Sequence, residues 1–163
     1  ALLLSLMRLA LRLAFSHKTR EIIRFAITEN PVREFVRQQI IEFGSSVNGF
    51  AHMIHDRAPQ SGLDYGSYNI RAIPTSIRAP NMNAIAERFI GAVRREALDH
   101  FLLFRRDQVK RILAGYIEYY NLTRPHQGLE QGVPKGYTPQ SRGEVLKTPI
   151  LSGLHHHYYR RAA

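Results

Sequence analysis

The sequence of 163 residues contains no cysteine and no tryptophan. The lack of cysteine excludes a disulfide framework and a thiolate metal site, and it is consistent with a reducing, cytoplasmic compartment. The apolar N-terminal stretch ALLLSLMRLALRLAF has no uncharged run longer than seven residues, because Arg8 and Arg12 interrupt it. A helix that spans a bilayer needs ~20 apolar residues, so no membrane partner is expected.

Acidic residues are also scarce. The chain holds 13 Asp and Glu against 23 Lys and Arg, with a net charge of +10, and its first acid is Glu21. A strongly basic chain favours polyanionic partners such as nucleic acid or an anionic membrane surface. Because carboxylates are few, each one in an apolar or basic setting is informative.

The order of elements predicts an α/β protein without internal repeats. Residues 20–28 alternate loosely and predict a strand. Asn30 as cap, Pro31 at the first helical position and Gly44 as terminator predict a helix over 30–44. The N-terminal stretch is interpreted as a core element, strand or helix, in which Leu and Ala favour helix locally. The remaining expectations are strands at 50–56 and 71–77, a loop at 57–69, and helices at 83–98 and 106–122.

Two of these helices have clear apolar faces. On the first, that face comprises Val32, Phe35, Val36, Ile40 and Phe43. On the last, it comprises Val109, Ile112, Leu113, Tyr116, Ile117 and Tyr120. The chain beyond Arg124 is rich in Gly, Pro and Thr and predicts extended strands or loops. The three histidines 155–157 do not converge on one strand face and are interpreted as part of this tail.

Two carboxylates stand in unusual places. Asp56 ends the apolar run FAHMIHD, where a strand of an α/β sheet commonly delivers site residues. Glu87 lies in the first turns of the helix that follows the next strand. Both could bind one Mg²⁺, which commonly takes only one or two protein carboxylates. Alternatively, Asp56 is a loop or capping acid, Glu87 pairs with Arg88 or Arg94, and Gly91 meets a neighbouring helix.

Three segments together resemble a known family. MIHD, IRAPNMNAIAERFIGAVRREALDHFLLF and YIEYYNLTRPHQGL are similar to the catalytic core of integrase-type transposases of insertion sequences, in the retroviral integrase superfamily. The resemblance covers roughly residues 20–135. It implies an RNase H-like fold, a mixed sheet flanked by helices, with an integrase-like core over residues 1–123 and an extended tail over 124–163.

The resemblance also implies DNA strand cleavage and strand transfer by an Asp-Asp-Glu triad with Mg²⁺ or Mn²⁺, in a homo-oligomer when active. Asp56 matches the second Asp of the triad, and Glu87 matches the Glu of the NAxAE motif. The first Asp falls before residue 1, so the first strand is expected to be incomplete. The connection between Asp56 and Glu87 holds 30 residues, about one helical turn fewer than is usual in the family.

These departures predict a truncated and inactive relative of a transposase. The alternative is a non-catalytic DNA-binding or dimerising module on the same fold. Residues 71–125 hold ten Lys or Arg and five acids, which predicts a phosphate-binding face. Its expected members are Asn83, Arg88, Arg94, Arg95, Arg105, Arg106, Lys110 and Arg111. A merely solvated basic surface is the other interpretation of the same residues.

Overall fold

The computed structural model describes residues 10–16, 18–30, 32–46, 51–55, 65–68, 70–74, 84–136 and 140–161. Within these ranges strands and helices mix, as the α/β prediction requires. The strands are β1 (Ala10–Phe15), β2 (Ile22–Thr28), β3 (Ala51–His55), β4 (Ile70–Pro74), β5 (Val145–Ile150) and β6 (His155–Arg160). The helices are α1 (Arg33–Ser46), α2 (Ala84–Glu96) and α3 (Arg106–Leu122).

The N-terminal stretch forms a strand where it is described, so the local preference for helix is wrong over residues 10–15. β1 pairs antiparallel with β2, with a register irregularity between Ala14 and Phe15. Leu11, Leu13 and Phe15 alternate along β1 and pack against the buried core. This period of two overrides helix propensity, because strand pairing places all three side chains on one face, partly buried against the core. Glu21 lies in the connection between β1 and β2, and residues 1–9 lie outside the described residues.

Helix α1 begins and ends later than the sequence indicated. It runs from Arg33 to Ser46, so Gly44 does not terminate it. A Cβ added at Gly44 would lie 2.9 Å from the Cβ of Tyr68, so this glycine permits close packing inside the helix. Ile40 is buried as predicted, but Val32 precedes the helix and is 52% exposed. Pro31 lies outside the described residues.

Strands β3 and β4 run parallel, with Ala51 opposite Ile70 and His55 opposite Pro74. Their carboxyl ends therefore lie at the same edge, and Asp56 follows one of them directly. The tail forms the β5–β6 hairpin, whose register pairs Val145 with Arg160. The described strands form three separate two-stranded sheets. A single mixed sheet of the RNase H-like kind therefore stays a prediction.

The core lies between α2, α3 and the β1–β2 hairpin. Helix α3 has the predicted bounds, and its six predicted apolar residues are all buried. Helix α2 ends at Glu96, slightly earlier than expected, and a 3-10 turn, Leu98–His100, follows it. Phe89 and Val93 of α2 pack with Tyr116 of α3 in one cluster that also takes Ile22 from β2. Among the described helices, none is long and apolar enough to cross a membrane.

Candidate active site and nucleic-acid interface

Glu87 lies in the first turn of α2 with its side chain exposed. An acid at this end of a helix is favourable because it faces the positive end of the helix dipole. Among the described residues, Glu87 takes part in no ion pair. The neighbouring Arg88 instead donates from Nε to the carbonyl oxygen of Ala84 at 3.1 Å. Within the described chain, a surface pair of Glu87 with Arg88 or Arg94 is therefore not formed.

The partner proposed for Glu87 is Asp56, which lies outside the described residues, as does Asn83 of the same motif as Glu87. The described backbone does include the end of β3, which Asp56 follows in the sequence. His55, the residue before it, pairs with Pro74 at the end of β4. The approach of the two carboxylates to each other stays a prediction, and so does the contact expected of Asn83.

Gly91 lies one turn beyond Glu87 and is covered by an arginine. A Cβ added there would lie 3.0 Å from Nη1 of Arg95, its nearest neighbour outside the local backbone. The guanidinium of Arg95 thus fills the space that the missing side chain leaves, and this space does not serve to bring another helix close. A ligand phosphate approaching this turn of α2 would meet Arg95 before it meets the backbone.

The predicted basic face is exposed throughout its described length. Arg94 and Arg95 occupy the last turn of α2, where positive charge suits the helix dipole. Arg105 and Arg106 occupy the start of α3, where the same dipole disfavours positive charge. Helix stability therefore accounts for the first pair and does not account for the second. The other described members, all exposed, are Arg88, Lys110 and Arg111.

One of these cations is held by an acid. Arg105 lies 3.2 Å from Asp107, and both side chains are largely exposed. Burial opposes ionisation of Asp107, but a backbone hydrogen bond and the charge and hydrogen bond of Arg105 together outweigh it and lower its pKa. Among the described residues, no other member of the face forms an ion pair. The face therefore presents several cations that are available to an anionic partner.

The sequence did not reveal a polar cluster behind this face, at the end of α2. Arg124 donates from Nε to Oε2 and from Nη2 to Oε1 of Glu96, both at 2.7 Å. The hydroxyl of Tyr116 donates to Oε2 of the same carboxylate at 2.7 Å. This planar, two-point arrangement is the strongest geometry for an Arg–carboxylate pair. It ties α2, α3 and the segment after α3 together at one point.

The groups in this cluster shift one another's pKa values. Burial alone would raise the pKa of Glu96, but the hydrogen bonds from Arg124 and Tyr116 outweigh it and lower that pKa. Burial and the Glu96 carboxylate raise the pKa of Tyr116, which keeps its proton on the hydroxyl. The hydrogen bond to Glu96 raises the pKa of Arg124 further. Glu96 is therefore a bound counter-ion, not a free metal ligand.

Two histidines attach the tail to this cluster. His155 of β6 donates from Nε2 to the carbonyl oxygen of Glu96 at 2.6 Å and stacks on Tyr119 with ring centroids 4.4 Å apart. His126, which is buried, donates from Nε2 to the carbonyl oxygen of Tyr120 at 3.1 Å. The first histidine of the HHH run therefore has a packing role that spacing along one strand could not indicate.

Asn121 holds the other side of the core. Its Oδ1 accepts from the amide of Ile22 at 2.9 Å, and its Nδ2 donates to the carbonyl of Ile22 at 2.8 Å. A side-chain amide thus takes the place of a strand neighbour for β2. The signal for these missed residues was the helical face itself. Glu96 continues the buried face of Phe89 and Val93, and Asn121 follows Ile117 by one turn.

Metal-binding potential is limited in what the structure describes. Over the described ranges, no group of three or more His, Asp and Glu side chains could hold a metal ion. Glu87 contributes one exposed carboxylate that pairs with no cation among the described residues, and oxygen donors of this kind suit Mg²⁺. The residue is compatible with a site whose other protein ligand would be Asp56.

Comparisons with known proteins agree with this layout. Residues 68–134 match the family model described as Integrase core domain. This range contains Glu87, the described basic face and the Glu96–Arg124 pair, while Asp56 precedes it. The chain is also 30% identical over 129 residues to the Insertion element IS600 uncharacterized 31 kDa protein of Shigella sonnei, an alignment that covers 73% of this chain and 47% of that protein. The chain thus spans about half the length of this curated relative. No solved structure matches.

Proposed function

We propose that the chain binds DNA and contributes to metal-dependent strand cleavage and strand transfer, because residues 68–134 match the integrase core domain family. The observation that carries the proposal is the placement of Glu87. Within the matched range, it is an exposed carboxylate in the first turn of α2, at the end opposite Arg94 and Arg95. DNA transposition or integration is the process that such chemistry serves.

The proposed metal ligands are Asp56 and Glu87, with Mg²⁺ or Mn²⁺ as the ion. A bound divalent ion would stabilise the negative charge that builds up on phosphate oxygens during a displacement. Glu87 suits this role because its side chain is exposed and none of the described cations forms an ion pair with it. Asp56 suits it because it follows the edge where β3 ends. Each side chain would supply oxygen donors to the ion, and phosphate oxygens and water would complete its shell.

The basic face supplies the proposed DNA contacts. Six of its residues flank the connection between α2 and α3. They are Arg94 and Arg95 before it, and Arg105, Arg106, Lys110 and Arg111 after it. Contacts of this kind are made to phosphates, so they give affinity and salt dependence without reading sequence. Arg88 and Asn83 are the proposed contacts that lie closest to Glu87 in the sequence.

On these 163 residues alone, we expect DNA binding with little turnover. Residues 1–20 contain no acid, so the chain supplies two of the three carboxylates that the Asp-Asp-Glu mechanism uses. Two carboxylates bind a divalent ion more weakly than three and leave more of its shell to water. The DNA contacts do not depend on the metal and are expected to persist in EDTA.

Titration of the full chain with Mn²⁺, followed by paramagnetic resonance of the free ion, tests the site. Asp56→Asn and Glu87→Gln are each expected to weaken Mn²⁺ binding by more than the ~10- to 100-fold that loss of an outer-shell partner costs. Glu118→Gln, on the exposed face of α3, is the matched control and is expected to bind as the parent does. Nicking of supercoiled DNA in Mn²⁺, where it is detectable, should vanish in the first two variants only.

Two results would contradict the catalytic assignment. Mn²⁺ affinity that is the same in Glu87→Gln and Glu118→Gln would remove Glu87 from the site. Robust nicking that survives Asp56→Asn would assign the chemistry to other residues. In the first case, DNA binding that both variants retain would favour a non-catalytic DNA-binding module on the same fold.

A further inference from the structure

The connection between α2 and α3 turns two large apolar side chains into solvent. Leu102 is 69% exposed and Phe104 is 70% exposed, the two highest values among the large apolar side chains that the structure describes. Leu103, between them, is only 3% exposed and belongs to the core. Side chains of this size are usually covered, and neighbouring exposed ones commonly mark a contact surface.

The exposure of both side chains is built into the loop. The side chain of Gln108 makes two hydrogen bonds to the loop backbone. Its Nε2 donates to the carbonyl oxygen of Leu102 at 2.7 Å, and its Oε1 accepts from the amide of Phe104 at 3.0 Å. One side chain from α3 thus fixes the backbone on both sides of Leu103, while Leu103 anchors the loop in the core. Leu102 and Phe104 are held outward before any partner binds, which lowers the ordering cost of binding.

The surroundings of the loop are cationic. Arg94 and Arg95 precede it, and Arg106 and Lys110 follow it, all exposed. Two acids lie beside them: Asp107 is paired with Arg105, and Asp99 lies in the 3-10 turn that precedes the loop. A twofold contact between two copies of the loop would bring these like charges together, which disfavours a second copy as the occupant. Duplex DNA has charged phosphates outside and stacked apolar bases inside, so it suits both the cations and the exposed side chains of Leu102 and Phe104.

We propose that the Leu102–Phe104 loop is an apolar wedge that enters duplex DNA at a base step while the flanking cations hold the phosphates. Phe and Leu side chains are used in this way by proteins that partly unstack and kink DNA. The inference rests on the DNA-binding part of the proposed function and adds a contact to bases. The wedge favours flexible pyrimidine–purine steps, because these cost least to unstack.

The test uses the full chain and a short duplex with a fluorescent adenine analogue at a TA step, whose emission rises on unstacking. The parent chain is expected to raise the emission on binding. Phe104→Ala should lose most of that rise and bind about tenfold more weakly, since it removes the stacking contact between the aromatic ring and a base. The salt dependence should stay the same because the phosphate contacts persist. Leu122→Ala, at the other end of α3 and 43% exposed, is the matched control.

Each outcome of this experiment either supports or overturns the proposed wedge. Loss of the emission change in Phe104→Ala, but not in Leu122→Ala, supports the wedge. Equal emission changes in the parent, Phe104→Ala and a Leu102→Ala/Phe104→Ala double variant would overturn the wedge and leave DNA binding intact. Self-association that Phe104→Ala abolishes, with unchanged DNA binding, would assign the loop to a second copy. A parent chain that does not bind the duplex would refute the proposed function, and the wedge with it.

Discussion

Glu96 occupies a helix position that normally holds an apolar side chain, and its partners make that possible. Arg124 and Tyr116 satisfy both of its oxygens, and the side chains of Glu96 and Arg124 are about one-quarter exposed. Arg124→Ala would leave the carboxylate with Tyr116 as its donor and without a counter-charge. We expect a loss of about 1–3 kcal/mol in the free energy of unfolding, between the values for surface and buried pairs. Urea denaturation measures it.

The control for this prediction is another Arg–acid pair of the same chain. Arg105 and Asp107 are 78% and 58% exposed, so Arg105→Ala should leave the free energy of unfolding almost unchanged. Arg124→Lys should fall between the two, because an ammonium replaces the charge but not the two-point geometry. Equal losses for Arg124→Ala and Arg105→Ala would show that Glu96 does not depend on its partner.

At the scale of elements, β2 depends on a helix side chain as well as on a strand. Asn121→Leu keeps the size of the side chain but leaves the amide and carbonyl of Ile22, 3% exposed, without their partner. Two unsatisfied buried groups should cost about 2–6 kcal/mol, at ~1–3 kcal/mol each. Hydrogen exchange should show the Ile22 amide losing protection first. Glu118→Leu, on the exposed face of α3, should leave that protection unchanged.

The elements that the sequence predicted best are those whose signal is local. Helix α3 carries six apolar residues at helical spacing, and its bounds were predicted correctly. Helix α1 was misjudged at Gly44, because the need for that glycine comes from Tyr68, a residue distant in sequence. The sequence left the N-terminal stretch open between strand and helix, because the strand form of β1 depends on its pairing with β2. Glu96 and Asn121 were missed because their partners lie 28 and 99 residues away.

At the scale of the molecule, the tail and the helices form one packed unit through buried polar groups. Burial lowers the pKa of His126 from its ordinary value of 6.5, and hydrogen bonds from Arg124 and Tyr116 outweigh burial and lower that of Glu96 from 4.5. In both cases the unfolded chain binds a proton more readily than the folded one. Stability is therefore full above the unfolded pKa and falls as the pH drops through the folded pKa.

We therefore expect two steps of acid destabilisation. The first begins as the pH falls below 6.5, where unfolded His126 starts to take up a proton, and the second begins below 4.5 with Glu96. The free energy of unfolding is measured in urea across this pH range. Its first decrease should be absent in His126→Gln. The amide of that glutamine can still donate to the carbonyl of Tyr120, which keeps the native contact. His100→Gln, at an exposed histidine, should keep both steps, and a first step that is equally large in His126→Gln would show that His126 is not its source.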